Sequence, residues 1–104
     1  MNGNLNKIIE ALQKIRSDVR SSTSRTIMDV SDKYEMIFIG EKFRLVHVEQ
    51  LTKSLNDVFK LKITHEEVLE LLPIACSKLG MQLEELVSID NPTNSTYLLH
   101  LFAL

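Results

Sequence analysis

Three histidines, His47, His65 and His100, and the single cysteine Cys76 are the side chains of this 104-residue chain best able to do nucleophilic, acid–base or metal chemistry. Their spacing argues against all three. They lie far apart, with no pair on neighbouring turns of a helix face or at zinc-knuckle spacing. Cys76 falls beside the apolar stripe of a predicted helix and reads as a small core residue. His65 sits in a helical first turn and His100 alternates with apolar neighbours in a predicted strand, so both read as surface positions. The carboxylate pairs Glu66-Glu67 and Glu84-Glu85 could suggest acid–base work. Adjacent helical residues point about 100° apart, however, and acids in a first turn are explained by the helix dipole. With no glycine-rich phosphate loop, the chain reads as non-enzymatic, with no cofactor or metal.

The elements that carry these residues follow from periodicity. Leu5, Ile8, Leu12, Ile15 and Val19 recur at three, four, three and four, the seam of an amphipathic helix about 21 Å long. Ser21-Ser22-Thr23-Ser24 ends it, because hydroxyl side chains favour caps and turns. Ile27, Val30, Tyr34, Ile37 and Phe38 predict a second helix over 26–39 stopped by Gly40, with a strand over Tyr34–Ile39 as the alternative. Glu41–Leu45 is a short connection, and a third helix runs over 46–60. Leu61-Lys62-Ile63 is extended. Thr64 and Glu67 form a capping box for a fourth helix, which carries Pro73 and closes at Gly80. Leu83–Leu86 adds one helical turn before strand Val87–Ile89. Asn91-Pro92-Thr93-Asn94 turns the chain, and Thr96–Phe102 returns.

A helix followed by a two-stranded ribbon is the ending of a winged helix. The expected fold is therefore mainly α with a small β-hairpin (α+β): an N-terminal amphipathic helix and serine-rich junction, residues 1–24, ahead of a winged-helix domain, residues 25–104. No apolar run approaches the ~18 residues of a membrane span, the polar start is no signal peptide, and one cysteine fits a reducing compartment. Asn94-Ser95-Thr96 reads as turn residues rather than as a glycosylation site.

Charge points to the partner. Residues 1–62 hold eleven of the twelve Lys and Arg against eight acids, while residues 63–104 hold Lys78 alone against six. Leu79–Leu104 has no cation at all. DNA-binding winged helices rely on Lys and Arg to neutralise phosphates, so an acidic fourth helix and hairpin argue for a protein partner. The basic first helix is where an acidic surface would dock, its seam in a groove and its cations at the rim. A winged-helix DNA-binding transcriptional regulator is the alternative, with Lys42, Arg44, Lys60 and Lys62 as a separate patch. A small regulator dimerising through the Leu5–Val19 seam is a third.

The order of parts also resembles a known family. Ile8-Ile9-Glu10-Ala11-Leu12-Gln13-Lys14-Ile15-Arg16 looks like the linker helix ahead of the C-terminal domain in the replication-licensing factor that brings the MCM helicase to origins. Val48-Glu49-Gln50-Leu51-Thr52-Lys53-Ser54-Leu55 is similar to that domain's next helix. Ile63 to Pro73 resembles its recognition-position helix, and Glu85-Leu86-Val87 with Thr96-Tyr97-Leu98-Leu99-His100-Leu101 resembles its wing. The resemblance implies a nuclear, monomeric, non-catalytic domain that binds the C-terminal winged helix of an MCM subunit. With the origin recognition complex acting indirectly, it would support helicase loading. The positions that resemblance assigns to partner binding are Lys7, Ile8, Leu12, Lys14, Ile15, Arg16, Val19 and Arg20.

Overall fold

The seam of the first helix decides the architecture. The computed structural model describes residues 3–87 and 95–102. In it α1 (Gly3–Ser21) turns Ile8, Leu12 and Ile15 to 0% exposure and Val19 to 2%. The helix lies against α4 (His65–Leu79) and α2 (Ile27–Tyr34). Val68, Leu71, Leu72 and Ala75 of α4 are buried in the same core. Residues 1–24 are thus not an arm ahead of a separate 25–104 domain, because α1 is the domain's own first helix. An apolar stripe carries no label saying whether it faces a partner or the chain itself.

The elements run α1, α2, a 3-10 turn (Glu41–Phe43), β1 (Leu45–His47), α3 (Val48–Asp57), α4, β2 (Gln82–Val87) and β3 (Ser95–His100). The strands form an antiparallel sheet in the order β1-β3-β2, with Val46 opposite Leu99 and Leu83 opposite Leu99 from the other side. This is a mainly helical α+β fold with a small three-stranded antiparallel sheet. The expected hairpin gains a third strand, β1, from what had read as a connection and the start of a helix. Three residues are too few for alternation to be visible, and only pairing with β3 makes Leu45–His47 a strand. The predicted helical turn over Leu83–Leu86 is likewise a strand, since its backbone groups pair with Tyr97–Leu99 and Thr96. The expected turn Asn91–Asn94, with Ser88 and Ile89, lies outside the described residues.

The second helix is shorter than its apolar pattern predicts. It ends at Tyr34, where Glu35 adopts a left-handed conformation (φ 52°). The β-branched and aromatic tail then runs extended. Ile37 N–H donates to Gln50 Oε1 at 2.7 Å, and Ile39 exchanges backbone hydrogen bonds of 2.8 and 3.0 Å with Leu45. Gly40 therefore does not stop a helix. It turns the chain at φ 79°, where an added Cβ would stand 2.6 Å from Leu45 Cδ1.

Side-chain devices aim α4. Asn56 at the end of α3 acts as a strand partner to Ile63, donating to its carbonyl at 2.8 Å and accepting from its N–H at 2.7 Å. The next residue, Thr64, makes the predicted capping box: its hydroxyl accepts the Glu67 N–H at 3.1 Å while Glu67 reaches back to the Thr64 backbone. At the far end Gly80 takes the left-handed position (φ 71°) and closes on the Cys76 carbonyl. Pro73 lies inside α4, which is one helix throughout. Proline removes one backbone donor, and burial on both sides of it compensates.

Two substitutions should move stability in opposite directions. Leu12→Ala removes a fully buried side chain and should cost about 2–5 kcal/mol. Ser54 is 0% exposed and its hydroxyl finds no partner among the described residues, so Ser54→Ala should stabilise by about 1 kcal/mol. Urea denaturation of the two variants beside the parent chain measures both.

Candidate functional site

The groups that could do chemistry stay apart. Cys76 is buried, and burial pushes its thiol up to about 11, so it is protonated and inert near neutrality. His65 is exposed, with Nδ1 2.9 Å from Thr52 Oγ1. His100 is half-buried rather than free in solvent, its Nε2 2.9 Å from Glu84 Oε1. Among the described residues no three of His, Cys, Asp and Glu gather as ligands for a metal.

The predicted docking stripe is dismantled by the fold. Ile8, Leu12, Ile15 and Val19 are core, so they are not a partner surface. Helical geometry then separates the cations. At about 100° per residue, Lys7 and Lys14 stand on one flank of the buried seam and Arg16 and Arg20 on the other. Lys7 and Lys14 are exposed. Arg16 is half-buried and spends its guanidinium on the α4 carbonyl end, donating from Nη1 to Leu79 O at 2.7 Å. A cation there also opposes the negative end of the α4 dipole, which makes Arg16 a structural residue. Of the eight positions assigned to partner binding, Lys7, Lys14 and Arg20 are exposed.

Each flank borders a cavity. Beside Lys14 one of about 630 Å³ is walled by Glu10, Asp18, Lys33, Tyr34 and Phe59. Its charges are matched among themselves: Asp18 accepts from Lys33 Nζ at 2.8 Å and from the Tyr34 hydroxyl. The Lys33 bond first, and the Tyr34 bond after it, hold the Asp18 carboxyl below its usual range. Desolvation, helped by Asp18, pushes Tyr34 up to about 12. The Tyr34 ring stacks on Phe59 with centroids 5.7 Å apart.

On the other flank a cavity of about 530 Å³ opens at the end of α1, with Arg20, Lys42, Phe43, Phe102 and the hydroxyl residues Ser22–Ser24 in its wall. Sequence reasoning missed Lys42, Phe43 and Phe102 as members of one site. They come from a loop and from the chain's last described residues, and no periodic pattern links such positions.

α4 and the hairpin present the opposite charge. Glu66 and Glu70 are exposed on α4 beside Ile74, which is 46% exposed, and Lys78 is the helix's one cation. On β2 Glu84 and Glu85 are exposed, with Tyr97 donating to Glu85 Oε2 at 3.2 Å. No family model, curated protein or solved structure matches the chain significantly. The functional argument therefore rests on the geometry and on the resemblance of the sequence.

The Asp18 cluster has a signed pH dependence. Asp18 titrates lower in the folded chain, so its stabilisation is present above the ordinary aspartate range and is lost as pH falls through the depressed value. Asp18→Asn should flatten the acid limb of a stability–pH profile, and as a half-exposed pair it should cost no more than about 1 kcal/mol at neutral pH. Tyr34, raised to about 12, gives stability that is full below about pH 10 and lost as pH rises. Denaturation midpoints across pH read both limbs.

Proposed function

We propose that the chain is a non-enzymatic protein-interaction domain. Following its resemblance to the replication-licensing factor, it would bind the C-terminal winged helix of an MCM subunit and support helicase loading at origins in the nucleus. One observation carries the first part. The helix and strand that a DNA-reading winged helix turns toward the duplex expose Glu66, Glu70, Glu84 and Glu85, and carboxylates repel phosphates. The inert Cys76 thiol and the scattered histidines support the non-enzymatic part. The order of elements is compatible with the licensing-factor reading. With the seam buried, that reading must place its contacts on exposed cations and not on Ile8, Leu12, Ile15 or Val19.

The competing DNA-binding reading would have to use Lys60 and Lys62, exposed in the loop ahead of α4. Immobilised chain challenged with purified MCM winged-helix domains should retain one of them at physiological salt and should not shift a short DNA duplex even at low salt. Retention of no MCM domain sinks the helicase-loading reading. A duplex complex that weakens steeply with added salt would replace protein binding with DNA binding.

A further inference from the structure

The cavity at the end of α1 differs from its neighbour in that no acid among the described residues neutralises it. Arg20 and Lys42 line it, no acid does, and neither cation has a carboxylate partner among the described residues. The neighbouring cavity, by contrast, sets Lys14 and Lys33 against Glu10 and Asp18. The unneutralised site is also partly apolar, through Val19, Phe43 and Phe102.

Its walls are held in place. The Arg20 guanidinium lies 5.1 Å from the centroid of the Phe102 ring, a cation–π contact that orients the fork. Lys42 and Phe43 both adopt left-handed backbone, at φ 57° and 56°, two and three residues after Gly40 at φ 79°. Two consecutive side chains in that region cost energy, and a bulky aromatic there is an outlier. The turn is fastened by the Phe43 N–H to the Gly40 carbonyl at 3.1 Å and by the Ile39–Leu45 bridge. Strain of this kind concentrates at binding sites, where the surrounding structure over-determines it. A volume of about 530 Å³ lies within the ~300–1,000 Å³ of ligand cavities.

We propose that this cavity is the docking site for a short acidic segment of a protein partner, one apolar side chain lying against Phe43 and Phe102 and flanking carboxylates meeting Arg20 and Lys42. The inference rests on the protein-interaction reading and deepens it by naming the site and the chemistry of the occupant. A bidentate carboxylate suits a stacked arginine. The aromatic walls give a carbon side chain somewhere to bury, which a bare inorganic anion would not use. A nucleic-acid strand is disfavoured by the carboxylates exposed on α4 and β2, which would repel its phosphates.

The experiment selects random dodecapeptides displayed on phage against the whole chain. The enriched sequences are then synthesised with a fluorescent label and titrated by anisotropy against the parent, Arg20→Glu, Lys42→Glu and Lys42→Asn. Asparagine tolerates left-handed backbone, so Lys42→Asn removes the charge without adding strain, and circular dichroism checks that each variant folds. Expected are sequences rich in Asp and Glu around an aromatic or Leu, weakened about tenfold or more by each charge change. Their amide shift changes should fall on Arg20–Ser24 and Lys42–Phe43. Enriched peptides without acidic bias, or peptides whose shifts fall elsewhere, overturn this site and leave the protein-interaction reading standing. The same holds if no peptide is enriched while an MCM domain is retained. Displacement of the peptides by an oligonucleotide at equal concentration assigns the cavity to phosphates and overturns the proposal. No enriched peptide and no retained domain overturns both.

Discussion

Burial of the α1 seam is the contact on which everything else in this molecule depends. α4 has an apolar face that α3 and the sheet do not cover alone, and α1 closes it with Ile8, Leu12 and Ile15 at zero exposure. Each such side chain contributes on the order of 1.5–3 kcal/mol, comparable to a large share of a small domain's net stability. With the seam in place, Arg16 lies within reach of the carbonyl end of α4. That bond and the one from Asn4 Nδ2 to Glu67 Oε2 at 3.4 Å tie the two helices toward both ends as the seam ties them along their length.

The same packing sets the electrostatics. Once the seam faces inward, the cations of α1 cannot act as one rim, because the buried stripe runs between them. Lys14 joins a cluster in which Asp18, Lys33 and Tyr34 satisfy one another. Arg20 is left beside Phe102 and Lys42, with no acid among the described residues of the cavity wall. α4 and β2 meanwhile turn carboxylates outward. The cations Arg20 and Lys42 and the outward carboxylates of α4 and β2 thus sit on different elements, and oriented charge of this kind favours recognition of a complementary partner.

Between these ends the fold is held by local devices that cost little chain. Asn56 pairs with the Ile63 backbone as a neighbouring strand would, bringing Thr64 to the start of α4 with its capping hydroxyl ready. Gly40 allows the reversal that seats β1 beside β3, where any Cβ would meet Leu45. The strained pair Lys42 and Phe43 follows from that reversal and places both side chains in one wall.

Part of this was fixed by local chemistry and could be read without coordinates. The seam of α1, the Thr64–Glu67 box, the Gly80 stop, the core role of Cys76 and the separation of charge along the chain each depend on neighbours within a turn or two. The α+β class followed from them. What needed tertiary structure was every question of what a surface faces. Periodicity tells that Ile8, Leu12, Ile15 and Val19 share a side, and only packing tells that the side is internal. Leu45–His47 and Leu83–Leu86 are strands because of partners some 10 to 55 residues away, which no local propensity encodes. The cavity of Arg20, Lys42, Phe43 and Phe102 draws on three distant stretches of chain. Its assembly belongs to the fold, because hydrophobic burial chooses which segments meet while sequence spacing governs only those already adjacent.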